Sequence, residues 1–346
     1  MKRILIVKIT SMGDLIQLLP AITDAANAIP GIRFDWVVEE SFKAVPMLHP
    51  AIGKLVYLPY RRWKKNKMQS ITSGEVRNFL KDLRGQTYDM VIDAQSNLKS
   101  AFVTILTKGM RYGLDSTSVR EYGAHWAYQK KITVSRDQNH AKRMRQLMAT
   151  FLGYPEPQTA ADYGIDKSRL PAIPCELPEK FIFVSAICSS KDRLWPEPFW
   201  KEVLDDIVQA GYDVVLPWWS DEEKARITRL KNNNPRIHMI PPLDLTEKAS
   251  ILAKATAAIS VDTGLAHMAA ALNIPNVTLY GPTNAKFTGA YGNEQVHLSA
   301  SGPSCSPCLR TKCHYQGESQ FKPACMETIS PKQVLKSFYQ MLRQTP

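Results

Sequence analysis

Short unbroken apolar runs alternate along this chain with longer stretches in which apolar residues recur every three or four positions. Ile4-Leu5-Ile6-Val7, inside Lys2–Lys8, predicts a buried strand. Leu15 to Ala28 has helical spacing, with Pro20 as a kink. Arg33–Val38 and Met90–Asp93 predict two more strands, the latter ending in a polar turn at Ala94-Gln95-Ser96. A proline-rich stretch over 155–180 lacks periodicity. Beyond it a second series predicts strands at Phe181–Val184, Asp213–Leu216, Ile237–Ile240, Ala258–Val261 and Asn276–Tyr280, with helical segments at Val203–Gln209 and Thr246–Ala253. Strands covered on both faces read as continuous apolar runs, so this rhythm predicts two parallel sheets with helices on either side. The expected organisation is an N-terminal α/β domain over 1–165, a linker over 166–180 and a C-terminal α/β domain over 181–330. An amphipathic helix over 331–346 would pack back on the first domain.

The breaks between runs carry the candidate chemistry. The strand ending at Val261 stops at Asp262-Thr263-Gly264 and resumes as a small-residue helix. The free N–H groups of such a first turn attract an anion such as a diphosphate, Gly264 allows close backbone approach, and His267 follows near the same helix mouth. An ordinary capped turn with a satisfied histidine has the same pattern. At the N-terminus, Ser11-Met12-Gly13-Asp14 follows the first strand, where open α/β sheets place ligands and catalytic groups. A carboxylate there suits a general base; it also suits a helix dipole. Ser189-Ser190-Lys191-Asp192-Arg193 offers hydroxyls and cations before a helix starting near Pro196. Trp218-Trp219-Ser220-Asp221-Glu222-Glu223 supplies carboxylates fit for ribose hydroxyls or for an acidic first helical turn. Tyr280-Gly281-Pro282-Thr283 adds a tight turn. One such turn in each half predicts two nucleotide folds facing each other across a cleft.

Composition narrows the class. With 346 residues, 44% hydrophobic and 22% charged, the chain is long for one core and suits two domains. No apolar stretch approaches the ~20 residues of a membrane span, and the run after Lys2-Arg3 is too short for a signal sequence. These point to the cytoplasm. A net charge of +12 calls for an anionic partner: nucleic acid, membrane surface or phosphorylated substrate. Part of it lies in Tyr60-Arg61-Arg62-Trp63-Lys64-Lys65-Asn66-Lys67, where no nucleic-acid recognition motif accompanies the aromatics. Cys305, Cys308, Cys313 and Cys325 cluster near His314, a set compatible with a structural zinc or with two disulfides.

Taken together the segments resemble the lipopolysaccharide heptosyltransferases of glycosyltransferase family 9, most closely those of the heptosyltransferase I type. The resemblance covers nearly the whole chain. It rests on Val7-Lys8-Ile9-Thr10-Ser11-Met12-Gly13-Asp14, Phe34-Asp35-Trp36-Val37-Val38-Glu39-Glu40, Val91-Ile92-Asp93-Ala94-Gln95, Ser260 through His267 and Leu279-Tyr280-Gly281-Pro282-Thr283. It implies a GT-B fold, two facing Rossmann-like doubly wound domains. The implied activity is inverting, cofactor-free transfer of L-glycero-D-manno-heptose from ADP-heptose to the Kdo of Kdo-lipid A, with no metal. Asp14 would be the base. Donor contacts would come from Cys188, Ser189, Arg193, Glu223, Leu243, Asp262, Thr263, Gly264 and His267. Two of these depart from the pattern: Arg193 replaces a lysine, and Cys188 stands where a threonine is expected. Ser11, Gly13, Arg61, Arg62, Lys64, Gln95 and Arg120 would meet the anionic acceptor at the cytoplasmic face of the inner membrane, with peripheral membrane contact. The cysteine-bearing tail resembles other members of the family, which leaves phosphorylated Kdo or an inner-core heptose as alternative acceptors. A non-catalytic nucleotide or nucleic-acid binding protein is the rival from another class. A dinucleotide oxidoreductase is disfavoured by the lack of a G-x-G-x-x-G turn after the first strand.

Overall fold

The computed structural model describes residues 2–310 and 312–344. Met1, Thr311, Thr345, Pro346 and the side chains of Lys67 and Ile71 lie outside that description. The chain divides between Asp166 and Lys167 into two compact units.

The first unit holds β1 (Ile4–Val7), β2 (Phe34–Glu39), β3 (Ile52–Leu58), β4 (Tyr88–Asp93), β5 (Gly109–Leu114) and β6 (Lys130–Ile132). They form one sheet in the order β3-β2-β1-β4-β5-β6, every pair parallel. The second unit holds β7 (Phe181–Ser185), β8 (Asp213–Leu216), β9 (Ile237–Met239), β10 (Ala257–Val261), β11 (Asn276–Tyr280) and β12 (Gln295–Ser299), in the order β12-β11-β10-β7-β8-β9 and again all parallel. Counted from the start of each unit, both sheets follow the same order, 3-2-1-4-5-6. These are two Rossmann-like units, the pair from which the GT-B class is built. The order reverses between β1 and β4 in one unit and between β7 and β10 in the other. Ligands gather just beyond the strand ends at such switch points, because the connecting helices diverge there and leave a crevice.

The central strands behave as their apolar runs predict. β1, β7, β10 and β11 are buried at every position. β3, β5, β6 and β12 were not apparent in the pattern. β3, β6 and β12 are edge strands with mixed exposure, and β5 carries Gly109, Arg111 and Gly113. The first long helix is two: Met12–Ile16, then Leu19–Ala28 with Pro20 in its opening turn, where a missing N–H costs nothing. Proline restarts the helix instead of kinking it.

Two expectations about the boundaries need correction. The terminal helix Pro331–Gln344, expected against the first domain, buries its apolar stripe in the unit it belongs to. Val334, Phe338 and Met341 are buried in the second unit's own core beside Trp195, Trp200 and Leu279. An amphipathic face is consumed by the nearest unfilled apolar surface, here the helix Glu197–Gln209 and the strand β11. The proline-rich stretch over 166–180 is likewise tied to the second unit, where the Ser250 hydroxyl donates to Pro171 O at 2.8 Å. Among the described residues no helix is long and apolar enough to cross a membrane.

Candidate active site

Asp14 stands in the short helix that follows β1, at the first unit's switch point. Its Oδ2 accepts from the Ser11 N–H at 3.0 Å and the Ser11 hydroxyl at 2.8 Å, while Arg120 approaches to 3.8 Å. On the other side His140 Nε2 lies 3.9 Å from Oδ1, and Lys8 Nζ bonds that same Nε2 and Ala94 O, each at 2.8 Å. Burial raises the Asp14 pKa, but Lys8, His140, the Ser11 N–H and Arg120 outweigh it and hold the carboxyl well below the usual range. Burial pulls the Lys8 ammonium down to about 8, against the pull of Asp14. Burial also drives His140 well below its ordinary value, against the pull of Asp14. Asp14 is therefore an ionised carboxylate, still 23% exposed, with its negative charge balanced from below.

The sign of that shift gives a pH prediction. A carboxylate whose folded pKa is depressed keeps its charge, and any stability that charge contributes, until the pH falls through the folded value. Turnover should therefore show no acid limb between about pH 4 and 7, the range of ordinary carboxylates and histidine. A kcat/KM profile with a limb in that window would place the base on another group.

Other residues expected at the acceptor end divide by what they touch. Gly13 is buried in the Asp14 helix. Gln95 is buried too, its Oε1 accepting from the Ile9 and Thr10 N–H groups at 2.6 and 3.2 Å. Gln95 thus ties down the loop leading to Ser11 and Asp14. Arg62 is already paired with Glu40 at 2.7 Å and Glu75 at 3.1 Å. Arg61 lies over the Phe42 ring at 4.7 Å, and Lys64 is exposed on the helix Tyr60–Lys65. Arg120 is 61% exposed beside Asp14.

At the second unit's switch point the loops after β7 and β10 meet. Arg193 Nη1 donates to Asp262 O at 3.0 Å and to its Oδ2 at 3.3 Å, and Thr283 Oγ1 donates to Oδ2 at 2.7 Å. Asp262 is 5% exposed, so its carboxylate is committed to fixing Arg193 and the Tyr280–Thr283 turn. Thr263 is the N-cap of the helix Gly264–Ala271 without a side-chain cap bond, and His267 is buried in its first turns. Arg226 braces the β7 loop from below, donating to Ala186 O and Trp195 O. Ser189 is exposed; the Cys188 thiol donates to Ser190 O at 2.9 Å, and burial pushes it up to about 11. A neutral thiol turned to its own loop departs from the threonine-like contact expected of it. Glu223 Oε2 accepts from the Trp219 and Ser220 N–H groups in a capping box, the commoner role for an acid in a first helical turn. Leu243 is buried at 5%.

The cysteine tail gathers its four thiols at one place. Cys305, Cys308, Cys313 and Cys325 are free thiols lining one cavity of about 410 Å³ with His314. Among the described residues no three His, Cys, Asp or Glu side chains are grouped to hold a metal. The tail is tied to the loops after β7 and β11: Cys313 N–H donates to Asp192 Oδ1 at 2.9 Å and Ser306 Oγ to Gly281 O at 2.7 Å.

Sequence reasoning gave no role to Lys8, His140, Lys99 or Asp93. Lys8 had a signal, a cation closing an apolar strand that is 1% exposed in the fold. Asp93, fully buried, accepts from the Gln95 and Ser96 N–H groups and from the Tyr128 hydroxyl at 2.8 Å. Gly113 makes room for that ring, since a Cβ there would collide with Tyr128. Lys99 Nζ donates to Thr10 Oγ1 at 3.2 Å beside the Asp14 loop. His140 opens a helix 126 residues downstream of Asp14 and had no signal.

Comparison with known proteins matches this architecture. The glycosyltransferase family 9 (heptosyltransferase) profile matches residues 76–318. Lipopolysaccharide heptosyltransferase 1 of Pseudomonas aeruginosa is 41% identical over 98% of this chain and 98% of its own. The protein of that name from Escherichia coli K12 is 40% identical over 85% of this chain and 92% of its own. The solved structure of E. coli heptosyltransferase WaaC with ADP superposes with a TM-score of 0.85 at 34% identity, covering 98% of this chain and 99% of that one. With two Rossmann-like units of the same order and this sequence likeness over its length, the chain belongs to glycosyltransferase family 9, the heptosyltransferases.

Proposed function

We propose that this glycosyltransferase moves L-glycero-D-manno-heptose from ADP-heptose to a Kdo hydroxyl of Kdo-lipid A, with inversion and without a metal ion. The ionised, partly exposed Asp14 carboxylate at the end of β1 carries the reading. It is supported by relatives named lipopolysaccharide heptosyltransferase 1 and by the WaaC structures with ADP and with ADP-2-deoxy-2-fluoro heptose.

Asp14 takes the proton of the acceptor hydroxyl as its oxygen attacks the anomeric carbon from the side opposite the diphosphate. The bond from that carbon to the phosphate oxygen breaks and ADP leaves with the electron pair, so the configuration inverts. Charge gathers on the departing diphosphate. Arg193, pre-set by Asp262, and the backbone N–H groups at Thr263–Gly264 are fixed donors that meet it without reorganisation. Glu223, Leu243, Ser189 and His267 complete the donor side; Arg61, Lys64 and Arg120 meet the acceptor's carboxylates and phosphates. Work at the cytoplasmic face of the inner membrane follows from a lipid-borne acceptor.

The test is turnover of ADP-heptose with Kdo-lipid A in excess EDTA, compared with truncated acceptors bearing phosphorylated Kdo or a first heptose. Full activity on Kdo-lipid A under chelation is expected. Loss restored by magnesium or manganese would overturn the metal-free mechanism, and preference for another acceptor would reassign the substrate. Binding of ADP-heptose with no transfer to any acceptor would identify a binding protein.

A further inference from the structure

The helix Leu98–Ile105 is apolar on both sides. Ser100, Ala101, Val103 and Thr104 face inward and are buried. Leu98, Phe102 and Ile105, spaced by four and three residues along the opposite face, are 56%, 64% and 52% exposed. The turn Ala124–Ala127 packs against this helix, and Tyr122 and Trp126 stand beside it, each 74% exposed with ring centroids 5.9 Å apart. The groups are contiguous at Gly123. Leu98 Cδ2 and Trp126 Cζ3 both come within 3.5 Å of the point a Gly123 Cβ would occupy. A lone exposed leucine needs no explanation; five large apolar side chains in one patch do.

The patch borders the acceptor end of the site. Arg120, two residues before Tyr122, reaches Asp14, and its N–H is bonded to Ser96 O at 3.0 Å. Lys99 lies 4.7 Å over the Tyr60 ring, and the Glu121 carboxylate accepts from the Leu98 N–H at 2.9 Å. Tryptophan and tyrosine suit the depth of lipid headgroups, aliphatic side chains the acyl boundary below, and the cations anionic headgroups.

We propose that Leu98, Phe102, Ile105, Tyr122 and Trp126 form a docking surface for an anionic lipid bilayer, which they enter while Lys99 and Arg120 stay at headgroup level. Its purpose rests on the reading of the acceptor as a membrane-held glycolipid, but the docking itself requires neither donor nor acceptor. The two readings therefore fail separately.

The experiment is flotation with phosphatidylcholine–phosphatidylglycerol vesicles that contain no acceptor. The wild-type protein should float, and the Phe102→Ser/Trp126→Ser double variant should partition at least about tenfold less. Its turnover on a deacylated, water-soluble acceptor should be unchanged. Quenching of tryptophan emission by brominated acyl chains should occur in the wild type and drop in Trp126→Phe, which still floats. Equal flotation of wild type and double variant, or undiminished quenching in Trp126→Phe, would overturn the proposal. So would loss of turnover on the soluble acceptor, which would put these residues in the acceptor site. Self-association of the wild type that the double variant abolishes would make the patch an interface between copies and overturn it as well.

Discussion

Asp14→Asn is expected to cut kcat by ~10²–10⁴-fold while leaving the Kd for ADP-heptose, measured by calorimetry, unchanged. The amide keeps the shape of the carboxylate and can still accept the Ser11 N–H and hydroxyl, so the loop should hold. What disappears is the ability to take a proton and the negative charge facing Lys8, His140 and Arg120. A second signature follows. Asp14 raises the Lys8 pKa against burial, so in the variant Lys8 should titrate lower than about 8. Near-wild-type turnover would show that the base lies elsewhere. Collapsed donor binding would show that Asp14 serves the fold.

Arg193→Met comes next in expected size. Removing one fixed donor from a developing anion costs roughly 10²–10³-fold in rate. Here the loss also uncovers the Asp262 carboxylate, a like charge left beside the diphosphate with Thr283 as its remaining side-chain donor. The effect should therefore fall on kcat and on donor affinity together. Arg193→Lys should stay within about tenfold of wild type. Both contacts to Asp262 come from the single nitrogen Nη1, and an ammonium can supply those two bonds from one atom. If Arg193→Met turned over normally, the leaving group would be stabilised by other groups, and a chelation-sensitive step would become the first candidate.

Much of the candidate site was legible because strand ends in parallel sheets are marked in one dimension. Asp14, Arg193 and Asp262–Gly264 each follow a short apolar run, and each sits at a switch point of its sheet. Local chemistry at those turns was harder to read. Glu223 was a carboxylate with two readings, and the capping box it forms engages one of its oxygens. Gln95 read as a ligand contact, and its Oε1 accepts from the Ile9 and Thr10 N–H groups, a bond that a primary amide in a polar turn does not announce. The Cys305–Cys325 spacing suggested a metal site or paired cysteines, and the folded loop brings all four thiols to one cavity.

The residues alone determined the α/β class, the two-unit division, the family and the positions of the principal turns, since burial on both sheet faces and the breaks at Gly, Asp and Pro are written into local pattern. Only the tertiary structure decided the chemistry underneath Asp14. Lys8, His140 and Arg120 reach it from three separate elements, and a buried lysine and histidine acquire their shifted pKa values from desolvation and mutual charge that no linear spacing encodes. The same holds for the terminal helix, whose apolar stripe was plain in sequence and whose partner was not. An amphipathic pattern specifies that a face will be buried; the shape and vacancy of the surrounding core select the surface that buries it.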